Sequence, residues 1–443
     1  MVRSIRTIVP SLLNVMSASV WGSRLSGGEE LSLRSFGTLS AQCIFITVAG
    51  CVLAACSAPG QLIRMTPADG TIVGIKPFLS PGAEVHVVLV HGMCTHKPKW
   101  VDEANQEIAD ALQATVTERR EPVPIGRHGG MLYERHLTAD GARVRTFALL
   151  WSPIVADAKK TLCYDETERT AACETSPTVL PDKRVLINGM LKNQIMDECL
   201  SDAVFYAGET GRALIAEAIE AGLLTALSGG GPVPAVTEGA PRAVGEQTAP
   251  LFLVTSSLGS KMTFDGLIRM ANKDCETYMR IAAAVSRTRQ VFMQANQLPI
   301  LSLAYDPLLA PPYCPPPIGA QGILPLQKAS LRGISAIAAL HRQGRQLRAL
   351  GSEALLASGE ELRIAAFSDP NDILSYTLVP WVTGDDYTAV DVVMTDATPL
   401  FGLFEDPVEA HTSYGTRSLV KGLIACGNPR AGNARVATSR SGC

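Results

Sequence analysis

Short, nearly unbroken apolar runs recur along this chain at Val85–Val90, Val144–Leu150, Leu251–Val254, Gln290–Met293, Leu362–Phe367 and Asp391–Met394. Runs of four to eight such residues without polar alternation fit strands buried on both faces, the situation of a parallel sheet. Helical patterns with apolar residues three and four apart fall around Asn105–Val116, Val185–Leu227, Leu331–Leu350 and Ser418–Ala425. Strands alternating with helices predict an α/β fold with a doubly wound, mostly parallel sheet. In such sheets ligands bind beyond the carboxyl ends of the strands, which directs attention to the residues that end each run.

Two stretches interrupt the alternation. About a hundred residues separate Leu150 from Pro250, far more than a simple crossover needs, and they hold Cys163, Cys173, a long helical pattern and the loop Ser228-Gly-Gly-Gly-Pro-Val-Pro. Residues 151–249 are therefore expected to form an inserted helical cap or lid, with an elongated crossover as the plainer alternative. Tyr305 to Ile318 is too rich in proline for either regular element.

The candidate chemistry sits where the third run ends. Leu251–Val254 leads through Thr-Ser-Ser-Leu-Gly into a helical pattern. A strand that turns sharply into a helix exposes the turning side chain only if the residues two before and two after are small. Ser257 has Thr255 and Gly259 there, whereas Ser256 and Ser260 have bulkier neighbours. The segment resembles the nucleophile elbow of the α/β-hydrolase superfamily, written Thr-x-Ser-x-Gly. Val85–Val90 ends in His91-Gly92-Met93, similar to the His-Gly loop of those hydrolases, and Leu362–Phe367 ends in Ser-Asp-Pro-Asn-Asp372. His411 follows the last strand and precedes the final helical pattern. The resemblance implies an α/β-hydrolase domain over residues 83–430 with Ser257 as nucleophile, His411 as general base and acid, and Asp372 as the orienting carboxylate. It also implies an oxyanion hole made by the N–H groups of Met93 and Leu258. Asp369 competes for the acid role, although the Asp-Pro step suits it to opening a turn. His86, His96, His128, His136 and His341 compete with His411; His86 lies in mid-strand and His341 in a helical pattern. His91 is expected to shape its loop. His91-x-x-Cys94-x-His96 offers three possible metal ligands without a second pair at zinc-like spacing, so no metal is expected. No cofactor is expected either, since no Gly-x-Gly-x-x-Gly or Gly-Lys-Ser/Thr loop is present.

Composition limits the classes of partner, and the N-terminal segment suggests a destination. With 47% hydrophobic and 18% charged residues the chain has ample material for a core, and a formal charge of −3 offers no electrostatic reason to expect nucleic acid. Arg24 and Arg34 precede the apolar stretch Cys43–Cys56, short for a spanning helix but suited to a signal peptide. Its end, Leu53-Ala-Ala-Cys56, resembles the lipobox of bacterial lipoproteins, which implies a signal over residues 1–55 and acylation of Cys56. It also implies a tether over 56–82 and, because Ser57 is not Asp, sorting to the outer membrane of the bacterial cell envelope. Of eleven cysteines, Cys43 and Cys51 leave with the signal and Cys56 carries lipid; the remaining eight are an even number, which invites disulfides after export. Cys163 with Cys173, and Cys426 with Cys443 across the 431–443 tail, are candidate pairs. Two functions of different class remain open. The first is a lipid-anchored serine hydrolase cleaving a small-molecule or lipid ester at the membrane. The second is an envelope lipoprotein that uses the same fold as a non-catalytic binding or scaffold module.

Overall fold

A computed structural model describes residues 61–163, 185–230, 247–303, 333–349, 361–378, 387–395 and 407–428, all within the compact unit Ser57–Cys443. The expected signal and Cys56 lie outside the described residues. Ten strands form one sheet: β1 Gln61–Thr66, β2 Glu84–Val90, β3 Thr115–Arg119, β4 Val123–Ile125, β5 Gly130–Ala139, β6 Ala142–Leu150, β7 Leu251–Ser256, β8 Thr288–Gln294, β9 Leu362–Ser368 and β10 Tyr387–Thr395. The order is β1-β10-β9-β8-β7-β2-β6-β5-β3, with β4 paired to β5. From β10 to β6 every pairing is parallel, and the pairings of β1, β3, β4 and β5 are antiparallel. The protein is thus a mixed α/β fold around a mostly parallel sheet.

The continuous apolar runs become the central strands because side chains alternate between two covered faces. Val88 and Val90 of β2, with Leu251 and Leu253 of β7, enter one buried cluster; Val87, Leu89, Phe252 and Val254 enter the other. The first face is covered by α2 Glu209–Leu227, α3 Leu258–Ala271, α4 Cys275–Val285 and α5 Ile334–Ala349. The second is covered by α1 Pro98–Leu112 and by the last helix, α7 Ser418–Cys426, which follows the short α6 Pro407–Thr412.

Several boundaries differ from the sequence reading. The tether expected up to residue 82 gives way at Gln61 to β1, an edge strand whose Ile63 is exposed and whose pattern therefore carries no double-sided burial. Helix α1 begins earlier than Asn105, with Pro98 in its first turn, and ends at Leu112 because Gln113 turns left-handed at φ 57°. Thr115 onward is β3, not helix, and β3 to β5 form an antiparallel edge that the patterning did not reveal. In the long insertion, α2 is no lid: Ala218, Ile219, Leu223 and Leu227 are buried in the sheet-side core, so it is the crossover helix between β6 and β7. The preceding segment is helical throughout, α-helical at Leu186–Met190 and Ser201–Ala207 and π-wound over the ten residues Leu191–Leu200 between them, and Gly208 leaves the helix with extended backbone at ψ 148°. This segment packs on the loop after β2, where Cys199 is disulfide-bonded to Cys94. All five cysteines among the described residues are disulfide-bonded, Cys163 and Cys426 included; Cys173 and Cys443 lie outside them.

Candidate active site

Strand β7 ends at Ser256 and α3 begins at Leu258, so Ser257 alone makes the turn. Its backbone is at φ 51°, ψ −126°, a conformation that costs a residue with a Cβ roughly 1–3 kcal/mol. The cost is held by neighbours: the Ser257 N–H donates to the Gln294 carbonyl at 2.7 Å. Two glycines allow the close approach. A Cβ on Gly259 would lie 2.3 Å from the His91 carbonyl oxygen, and one on Gly92 would lie 2.7 Å from the Ser257 Cβ. Thr255 is accommodated because its hydroxyl, fully buried, bonds the Ser260 hydroxyl at 2.8 Å across the turn.

Three sequence-predicted residues meet at this point. The Ser257 hydroxyl donates to His411 Nε2 at 3.1 Å. His411 Nδ1 donates to the Asp372 carboxylate, 2.9 Å from Oδ1 and 3.0 Å from Oδ2. That geometry requires the proton on Nδ1 and leaves Nε2 with a lone pair towards the serine. Asp372 is anchored in turn: the Leu374 N–H donates to Oδ1 at 3.0 Å and the Tyr414 hydroxyl to Oδ2 at 3.1 Å. Burial, reinforced by the Asp372 charge, pushes the Tyr414 phenol well above its usual range, so it keeps its proton and acts as a donor. Asn296 clamps the acid loop to the end of β8 by exchanging bonds of 2.8 Å with the Tyr376 backbone.

Asp369 does not face His411. Its Oδ2 accepts from Arg417 Nη1 at 2.8 Å, with both side chains fully buried, and Arg417 Nη2 donates to the Ala410 carbonyl just before His411. Tyr414 and Arg417 were not singled out from sequence; the only available sign was their nearness to His411.

The two expected oxyanion donors lie at the start of α3 and in the loop after β2. Leu258 is the first residue of α3, whose N–H has no acceptor within the helix. Met93 is buried in the loop after β2, and that loop is held by two neutral histidines. His91 Nε2 accepts from the Trp151 N–H at 3.1 Å, so its proton is on Nδ1, which donates to the Gly92 carbonyl at 2.7 Å. In a trans peptide the N–H opposes the C=O, so fixing the Gly92 carbonyl also fixes the direction of the Met93 N–H. The His96 ring packs beside that of His91, 4.3 Å between centroids. Burial drives His91 well below the ordinary imidazole range and His96 down to about 4, which keeps both uncharged. Ser152 bonds the His96 backbone, and Lys159 reaches both Thr95 Oγ1 and the buried Asp202. The Cys94 sulfur is committed to Cys199 and both ring nitrogens of His91 to backbone, so this cluster is a structural clamp.

The other histidines lie elsewhere: His86 pairs with Glu84 in mid-strand, His136 bridges Glu118 and Glu134, and His341 meets the Thr288 carbonyl. No family model matches the sequence, and no curated protein matches it either.

Proposed function

We propose that this protein is a serine hydrolase of carboxylic esters, built on an α/β-hydrolase fold with a partial cap and anchored by lipid at Cys56 in the bacterial cell envelope. The observation that carries the reading is the hydrogen-bonded series Ser257, His411, Asp372 at the carboxyl ends of β7 and β9, with the serine in the conformation an elbow requires. A serine hydroxyl is a poor nucleophile unless a neutral imidazole takes its proton, and the imidazolium then needs a fixed carboxylate. Ser257 Oγ attacks the ester carbonyl carbon while its proton passes to His411 Nε2. Negative charge gathers on the carbonyl oxygen, opposite the N–H groups of Met93 and Leu258. The carbon–oxygen bond to the alcohol breaks, and Nε2 returns the proton to the leaving oxygen. Water, deprotonated by the same nitrogen, then releases the acid from Ser257. The bonded state of all five described cysteines and the Leu53-Ala-Ala-Cys56 sequence support export.

The test is labelling of the purified protein by a fluorophosphonate, with Ser257→Ala as control, beside hydrolysis of short-chain p-nitrophenyl esters. Labelling and turnover that both vanish in Ser257→Ala are the expected result. A folded wild-type protein that neither labels nor hydrolyses would favour the non-catalytic lipoprotein instead.

A further inference from the structure

β1 enters the sheet at its catalytic end. It is antiparallel to β10, and its first residue, Gln61, pairs with Thr395, the last residue of β10. Strands β10, β9, β8 and β7 are parallel, so Gln61 lies at the same end of the sheet as Ser257 and Asp372. The link to the site is short: Asn371, the neighbour of Asp372, donates from Nδ2 to the Thr395 hydroxyl at 3.1 Å. Four strand spacings of about 4.8 Å set β1 roughly 20 Å to the side of β7.

Resting on the lipid-anchored ester-hydrolase reading, we infer that the catalytic end of the sheet docks on the leaflet that holds the Cys56 lipid, and that the substrate is an acyl ester lipid of that same leaflet. Cys56 precedes Gln61 by five residues, which span at most about 18 Å when fully extended. The seven residues of β2 alone cover about 23 Å along the strand direction. A tether of that reach cannot run down the sheet and let the amino ends of the strands face the membrane. The bilayer therefore stays on the side of Ser257. The ester is cut by the steps given above, one water per turnover, leaving a fatty acid and the alcohol-bearing remainder of the lipid.

The apolar surface has the same polarity. Among the described residues, the exposed large hydrophobic side chains sit on segments that leave the carboxyl ends of β6, β8 and β9, or in the first half of β1. They include Met196 in the segment tied to Cys94, Ile300 and Leu303 after β8, Ile373 beside Asp372, and Ile63 of β1. At the other end, the turns Ser80-Pro-Gly82 before β2 and Asp140-Gly141 between β5 and β6 are exposed without such a residue. Single apolar residues scattered over a surface need no partner, but their gathering at the end that carries the anchored strand points to one. Side chains that enter a bilayer by about 5–10 Å reach the boundary between headgroups and acyl chains, where the ester bonds of a glycerolipid lie.

The test uses the mature, lipidated protein in vesicles of phosphatidylethanolamine and phosphatidylglycerol. The added fluorescence of Leu303→Trp should be quenched by lipids brominated on their acyl chains, and that of Ser80→Trp should not. The double variant Ile300→Asp, Leu303→Asp should release fatty acid from the vesicle lipid about tenfold more slowly, with kcat/KM on p-nitrophenyl acetate unchanged. Both side chains are at least 40% exposed, so the core is left intact. A labelled phospholipid supplied in separate, protein-free vesicles should remain uncut. Quenching at position 80 instead of 303, unchanged lipid hydrolysis in the double variant, or equal cleavage in the protein-free vesicles would overturn the docking inference while ester hydrolysis stands. So would turnover of p-nitrophenyl acetate with no fatty acid released from the vesicles. Absence of any ester turnover and of fluorophosphonate labelling would overturn the hydrolase reading, and an unmodified Cys56 would overturn the anchor; the inference falls with either.

Discussion

Asp369 and Arg417 form a fully buried ion pair, 2.8 Å from Oδ2 to Nη1, that braces the helix turn carrying His411. Arg417 donates to the Ala410 carbonyl and to Ser413 Oγ, and its guanidinium lies over the Tyr414 ring at 4.4 Å from the centroid. Three residues further along the acid loop, Asp372 accepts from His411 itself. Two carboxylates in one loop thus have separate tasks, one holding the histidine ring and the other holding its backbone.

The two tasks can be separated by substitution. Asp372→Asn should keep the fold and lower kcat by about 10⁴, because the ring loses the carboxylate that sets its tautomer and stabilises its charge. Asp369→Asn should instead lower stability by about 3–5 kcal/mol, since it leaves the Arg417 guanidinium buried beside a neutral amide. Urea denaturation and esterase kinetics on both variants check the assignment. An Asp369→Asn protein of normal stability but without turnover would exchange the roles.

Strain at Ser257 has a signature independent of activity. Ala at this position keeps the Cβ and so keeps the cost of φ 51°, whereas Gly adopts that conformation freely. Ser257→Gly is expected to be more stable than Ser257→Ala by about 1–2 kcal/mol, with both inactive. Thermal unfolding of the pair measures the difference, and an order of Ala above Gly would contradict the elbow geometry.

Glu107 makes stability depend on pH. It lines a small pocket between α1, α7 and the sheet, together with Trp100, Ser256 and Lys421. Burial raises its carboxyl from 4.5 to about 7, against the opposing pull of Lys421 and with reinforcement from Glu103 and Asp110. Glu107 therefore holds its proton more tightly folded than unfolded. Its contribution is fully present below about pH 4.5 and is lost as pH rises through about 7. Glu107→Gln should remove this slope and raise stability at pH 8 by about 1–2 kcal/mol, the carboxyl being only partly shielded from water. Denaturation midpoints at pH 5, 6, 7 and 8 test it; a wild-type slope unchanged by the substitution would rule it out.

What the sequence by itself determined was whatever rests on near neighbours along the chain. Val85–Val90 and Leu251–Val254 declare themselves as central strands because burial on two faces demands apolar residues at nearly every position, His86 being the exception, and both are observed. Ser257 could be picked from three nearby serines because the turn limits the size of residues two away, and Gly259 meets that limit against the His91 carbonyl. The edges were less legible: Gln61–Thr66 and Thr115–Arg119 are strands partly open to solvent, where many sequences satisfy the same backbone. Only the tertiary structure decided between Asp369 and Asp372, since that choice depends on where Arg417 and His411 lie after some forty residues of intervening chain. Only it joined Cys94 to Cys199 across a separation of 105 residues and turned α2 from an expected lid into a crossover helix. Local pattern carries burial and turn geometry, whereas partner choice between distant residues follows from how the packed layers bring them within reach.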